Sequence, residues 1–172
     1  MSMNKRIVIK LSEDSINAAL KEVEDLRDAQ KARIHAAAKE IADEICERAQ
    51  ANFDSAWYDE VGRGVRDHAD VKCRVEETED GWRVVAEGRE VTFIEFGAGV
   101  YYNPPAGSSP HPRGAELGFL IGGFGAGHGK QNTWGYYADE NRQELILTHG
   151  TAMQQPLYRA FSEVMAERKA RR

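Results

Sequence analysis

Five histidines, His35, His68, His111, His128 and His149, and the carboxylates Glu95 and Glu116 are the side chains here best suited to chemistry. Imidazoles and carboxylates act as general acids and bases, or as ligands of an ion such as zinc. Three of the histidines, His111, His128 and His149, fall in one conspicuous region with both carboxylates nearby. Their spacing forms no HExxH pair, no HxH and no Cys/His cluster. His111 sits in a Pro-His-Pro turn and His128 between glycines, which is the setting of exposed loop histidines. His149, in Thr148-His149-Gly150-Thr151, suits a residue that hydrogen-bonds a tight turn feeding a helix. The catalytic alternative these residues leave open is a small metal-dependent hydrolase using Glu95, His111, His128 and His149.

Other chemical signatures fail on their wording. Ser108 and Ser109 do not lie in a GxSxG nucleophile elbow. The run Gly122 to Lys130 resembles a phosphate loop, but Lys130 is followed by Gln131 and by no apolar helix, so flexible backbone explains its glycines. Cys46 and Cys73 have neither metal-ligand nor CxxC spacing and read as reduced core thiols on a helix and a strand. Glu95, flanked by Ile94 and Phe96, is either on an exposed edge or buried with a partner, because an unpaired buried charge is expensive. An ion pair, within the chain or between subunits, is the expected role. No cofactor or metal is expected, and no catalytic residue.

The region that holds these residues is itself unusual. Gly97 to Asn132 contains ten glycines and four prolines but only three charged side chains, together with Tyr101, Tyr102, Phe119 and Phe124. A long, weakly charged, aromatic-bearing loop is suited to contact rather than to solvation. Around it, 172 residues with 41% hydrophobic and 30% charged composition fit one domain with a sizeable core. A net charge of -5 argues against a general nucleic-acid binder. There is no apolar run of membrane-spanning length, and the N-terminal MSMNKRIVIKLS lacks the features of a secretory signal, so synthesis in the cytosol is expected.

Periodicity supplies the elements that must position these residues. Lys5 to Leu11 alternates like a short strand within residues 1–11. Ser12 is a candidate cap for an amphipathic helix over 12–52, carried by Ile16, Leu20, Val23, Leu26, Ile34, Ala38, Ile41, Ile45 and Ala49. Such a helix is longer than the domain, so it breaks, bends over a sheet, or projects toward a neighbouring subunit, with Asp28 to Arg33 as its break or exposed midpoint. Asn52 to His68 reads as a connector. Asp70 to Glu77 and Trp82 to Glu87 form a hairpin around Thr78-Glu79-Asp80-Gly81, with Val71, Cys73 and Val75 on one face. Val91 to Phe96 suits a strand or a helical turn equally. Thr133 to Ala138 and Glu144 to Thr148 make a second hairpin, and a helix over 153–170 opens at Pro156 with Leu157, Phe161, Val164 and Met165 as its stripe. The expected fold is α+β: a long N-terminal and a C-terminal helix packed on a mostly antiparallel sheet over 69–148, with 97–132 as an extended loop or arm.

Taken together, Phe93-Ile94-Glu95-Phe96-Gly97-Ala98-Gly99, the Gly/Pro-rich insertion with Tyr101-Tyr102, Trp134-Gly135-Tyr136-Tyr137, Thr148-His149-Gly150-Thr151 and Pro156 opening the last helix resemble the tail-completion proteins. These are head-tail joining, or neck, components of long-tailed double-stranded DNA bacteriophages and prophages. The resemblance covers about Ser12 to Arg168 in order of elements, with specific wording in Val91 to Tyr102 and Trp134 to Pro156. It departs at Gln154-Gln155, where similar proteins often carry small or apolar residues, and in the length of the insertion. It implies a non-enzymatic virion protein, a homo-oligomeric ring contacting other tail and head-connector proteins, through which DNA passes without specific binding. Motif and interface residues implied are Phe93, Glu95, Phe96, Gly97, Gly99, Tyr101, Tyr102, Phe119, Phe124, Trp134, Thr148, His149, Gly150 and Pro156.

Overall fold

The computed structural model describes residues 12–60, 65–68, 70–88, 91–97, 111–114, 116–117, 133–137, 141, 143 and 145–171. Helix α1 (Glu13–Asp54) is followed by strands β1 (Trp57–Glu60), β2 (Val65–His68), β3 (Lys72–Thr78) and β4 (Gly81–Glu87), the short helix α2 (Val91–Phe96), strands β5 (Trp134–Tyr137) and β6 (Leu145–Thr148), and helix α3 (Pro156–Ala170). The architecture is α+β, with both long helices and the β3–β4 hairpin packed together. The expected strand over Lys5 to Leu11 lies outside the described residues.

Helix α1 is unbroken over 42 residues, about 63 Å at 1.5 Å per residue, so Asp28 to Arg33 is no break. Ser12 precedes it with extended backbone and accepts from Ile16 N–H at 3.0 Å through its carbonyl; its side chain makes no cap bond. The C-terminal half carries the core. Ile45 and Ala49 pack with Ala160 and Val164 of α3, while Phe53 joins Ala56, Val71 and Ile94 in an adjoining cluster. Cys73 and Leu157 touch both clusters and make the core continuous.

The β3–β4 hairpin closes at Thr78 opposite Gly81, and Cys73 and Val75 face Ala86 and Val84 in register. That side lies against α1. Gln50 fixes it there: its amide nitrogen donates to Val71 carbonyl at 2.9 Å and its oxygen accepts from Cys73 N–H at 2.8 Å, as a neighbouring strand would. At the far end Trp82 Nε1 donates to the His35 carbonyl at 3.1 Å, and Lys39 Nζ stands 5.4 Å from the centre of the Trp82 ring.

Three sequence expectations are corrected. The strands do not form one sheet: among the described residues they make three separate antiparallel pairs, β1–β2, β3–β4 and β5–β6. Asn52 to His68 is no plain connector, since α1 runs through Asp54 and Trp57 to Glu60 pairs with Val65 to His68. In α3, which starts at Pro156 rather than at 153, the buried line is Pro156, Ala160 and Val164, with Leu157 packed against the core; Phe161 and Met165 are exposed. The register is one step off: Ala160, a small residue fully buried with Ile45, Ala49 and Val164, occupies the seam in place of Phe161. Val91 to Phe96 resolves as helix.

Candidate functional site

Two of the phrases that carry the sequence resemblance, one holding Glu95 and one leading into Pro156, meet at the first turn of α3. Pro156 occupies its first position and has no N–H to satisfy. Gln155, immediately before it, has φ 55 and ψ 43, a left-handed conformation from which it makes no side-chain cap bond. The two orphan donors of the turn go elsewhere. Leu157 N–H donates to Glu95 Oε2 and Tyr158 N–H to Glu95 Oε1, both at 2.9 Å, while Arg159 N–H returns to the Gln155 carbonyl at 2.8 Å. A carboxylate from α2, 62 residues upstream, thus performs the capping that a Ser, Thr, Asp or Asn ordinarily provides.

Glu95 is only 6% exposed, so its oxygens need partners within the fold. Two of these partners are the backbone donors at the positive end of the helix. A third group is His111, whose Nε2 lies 3.2 Å from Glu95 Oε1. His111 Nδ1 accepts from Arg113 N–H at 3.0 Å, which leaves Nε2 to carry the proton of the neutral ring and to donate to Glu95. The ring packs against Phe96, with centroids 4.4 Å apart, and edge-on to Tyr158 at 5.0 Å. His111 is therefore a buried anchor of the Gly/Pro-rich region and not the exposed loop histidine its Pro-His-Pro setting suggests. Glu95 is buried with partners, one of the two placements its apolar flanks left open, and those partners are two backbone N–H groups and His111.

The turn before α3 is built from the second phrase. Thr148, buried at the end of β6, accepts from Gly150 N–H through Oγ1 at 2.9 Å. His149, beside it in this turn, is half-buried. Gly150 at φ 92 and Gly97 at φ 78 occupy the left-handed region, the latter closing α2 by donating to the Phe93 carbonyl at 2.8 Å. Gln154 then joins three elements. Its N–H donates to the Ile94 carbonyl at 2.9 Å, and its side-chain amide brackets Trp57, accepting from the N–H at 3.2 Å and donating to the carbonyl at 2.7 Å. Asn52 Nδ2 completes the junction by donating to the Pro156 carbonyl at 3.0 Å.

Comparison with protein families, curated proteins and solved structures returns no match. The site's meaning therefore rests on its geometry and wording. Phe93, Glu95, Phe96, Gly97, Thr148, His149, Gly150 and Pro156 lie along α2 and the stretch from β6 into α3, and the backbone of Trp134 pairs with Thr148. Gly99, Tyr101, Tyr102, Phe119, Phe124 and His128 lie outside the described residues. Sequence reasoning missed Gln154, Gln50 and Asn52, each a side-chain amide bonded to distant backbone, and read Gln154 only as a departure from the family pattern.

Chemically, the arrangement is a structural clamp. Both Glu95 oxygens face donors that hold a helix, and His111 has both nitrogens engaged. Among the described residues no group of three His, Cys, Asp or Glu side chains is placed to hold a metal ion. A shallow groove of about 680 Å³ lies elsewhere, between α1 and β3, lined by Lys39, Asp43, Cys46, Gln50, Cys73 and Val75. Desolvation pushes the Cys73 thiol up to about 11, so it is a poor nucleophile despite lining that groove.

A second set of charges binds the long helices. Arg48 donates to both oxygens of Glu167 at 2.6 and 2.7 Å and to Glu44 at 2.9 Å, and Arg168 reaches Glu44 at 2.8 Å. The Arg168 hydrogen bond holds the Glu44 carboxyl below its ordinary value, and Arg48 does the same for Glu167. These four residues fix α3 antiparallel to α1.

Proposed function

We propose that the chain is a virion structural protein, a tail-completion or head-tail joining component that assembles as a ring at the phage neck and performs no catalysis. The observation that carries this reading is the convergence of its two distinctive phrases. FIEFG supplies Glu95, THGT and its sequel supply the helix start that Glu95 caps, and His111 ties the Gly/Pro-rich region to both. The clamp fixes the Gly97 end of that region and His111 within it on one frame, which suits an arm that orders against an adjacent subunit or tail protein through its aromatic residues. A net charge of -5 suits a ring lumen along which DNA slides without sticking.

The clamp also defines the deletion that tests this function. Removing Ala106 to Gly129 takes out His111, one of the three donors to a buried carboxylate, so that variant loses stability. Removing Gly118 to Gly129 spares His111. The shorter deletion is expected to leave the circular-dichroism melt of the chain intact while abolishing ring formation or tail attachment. Assembly by the shorter deletion as efficient as by the parent chain would contradict the arm's role.

A further inference from the structure

The core-facing line of α1 continues past the end of the domain. Ala49, Ile45 and Ile41 meet α3 and the hairpin. Toward the N-terminus, in steps of three and four, the line passes Ala38, Ile34, Gln30, Arg27, Val23, Leu20 and Ile16. Its apolar members there are uncovered: Ile34 is 63% exposed, Val23 51%, Leu20 58% and Ile16 43%. Helix α3 cannot cover them. It begins beside Asn52, its last turn stands beside Glu44, and its 15 residues span about 22 Å against about 63 Å for α1.

Spacing and charge together identify what can. Ile16, Leu20, Val23, Arg27, Gln30 and Ile34 alternate by four and three, the seam of a two-stranded coiled coil with a polar centre. Residues 13–25 carry five acids (Glu13, Asp14, Glu22, Glu24, Asp25) and one base, whereas residues 26–39 carry four bases (Arg27, Lys31, Arg33, Lys39) and one acid. Parallel pairing of two copies sets like charge on like. Antiparallel pairing about Asp25 sets the acidic half of each helix on the basic half of the other. The same register places Ile16 opposite Ile34, Leu20 opposite Gln30 and Val23 opposite Arg27, whose stem covers apolar surface while its charge reaches water. It also brings Glu13 and Asp14 of one copy toward the end of α3 of the other, where Lys169 and Arg171 are exposed.

We infer that α1 pairs with α1 of a second copy, antiparallel and two-fold symmetric, over residues 13–37. The contact is isologous and closes on itself as a dimer, whereas a ring needs a heterologous contact, so this inference does not rest on the virion reading.

Two measurements test it on the full chain. Sedimentation equilibrium is expected to give twice the 19.2 kDa chain mass, falling to a single chain mass in the Leu20→Asp/Val23→Asp variant, with tryptophan emission unchanged because those positions are exposed. Mixing Ile16→Cys with Ile34→Cys chains under mild oxidation is expected to yield a disulfide-linked dimer, because facing seam positions come within the 4.4 to about 6.8 Å Cα range of a disulfide. Neither variant alone links, since two copies of position 16 then lie about 27 Å apart. The parent chain serves as the blank for Cys46 and Cys73. A parent that sediments as one chain, a double variant that stays dimeric, linking by either cysteine variant alone, or an oligomer without the 16-to-34 link would each overturn the inference.

Discussion

Glu95 answers three donors at once, and the physical consequence is that no neutral side chain replaces it. A Gln at that position keeps one acceptor oxygen and turns an amide N–H₂ toward N–H groups that need an acceptor. Glu95→Gln is therefore expected to cost about 3 kcal/mol, roughly 10 °C in Tm, measured by chemical and thermal unfolding. A loss below about 0.5 kcal/mol would show that α3 is capped by other means. Gln155 presents the opposite case. Its left-handed backbone is held in spite of a side chain and a following proline, so Gln155→Gly is expected to stabilise by about 1 kcal/mol. Destabilisation there would mean that the Gln155 side chain contributes more than its backbone strain removes. Part of this site was legible in the sequence: a carboxylate between Ile94 and Phe96 is either on an exposed edge or buried with a partner, and it is buried. The partner was not legible, because it lies 62 residues away and is backbone. One usable signal was present. A helix opening at Pro156 behind two glutamines lacks a local cap, so its cap had to come from elsewhere.

At the scale of elements, the α1–α3 contact combines a small apolar seam, Ile45 and Ala49 against Ala160 and Val164, with the Arg48, Glu44, Glu167 and Arg168 network. Both carboxyls titrate below the ordinary 4.5 in the folded chain, held down first by their arginine hydrogen bonds. Unfolded, they bind protons at higher pH than folded. Their contribution is complete above the unfolded value and is lost as pH falls through the folded values. Urea unfolding between about pH 7 and about pH 3 is thus expected to show the parent's advantage over the Glu44→Gln/Glu167→Gln variant shrinking below the ordinary carboxyl range. A pH-independent gap would contradict the coupling. The elements that local pattern reveals are those with repeating apolar residues. Helix α1 has its three-and-four spacing and the β3–β4 hairpin its alternation and Asp80-Gly81 turn. Strands β1 and β2 escaped because Asp59, Glu60, Arg66 and Asp67 replace the apolar members of an alternating pattern. The exposure of Phe161 escaped because a helical stripe gives a face only to within one residue.

Among the described residues, a polar clamp at the α2–α3 junction adjoins one long helix. Residues around the α2–α3 junction fix the frame, and α1 carries an apolar, charge-segregated face well beyond α3 and the hairpin. The buried polar groups Glu95 and His111 bond to a helix start and a loop. The order of periodic elements conveyed the α+β class, and among the described residues no helix is long and apolar enough to cross a membrane. How the three strand pairs remain separate was not legible, since pairing partners beyond a hairpin are set by packing rather than by local pattern. The proposed place of this molecule is the joint between phage head and tail. Electron microscopy of particles produced with and without its gene tests that directly. Without the gene, DNA-filled heads and separate full-length tails are expected, and purified chain added to them restores joined particles; joined, infectious particles in its absence would contradict the assignment.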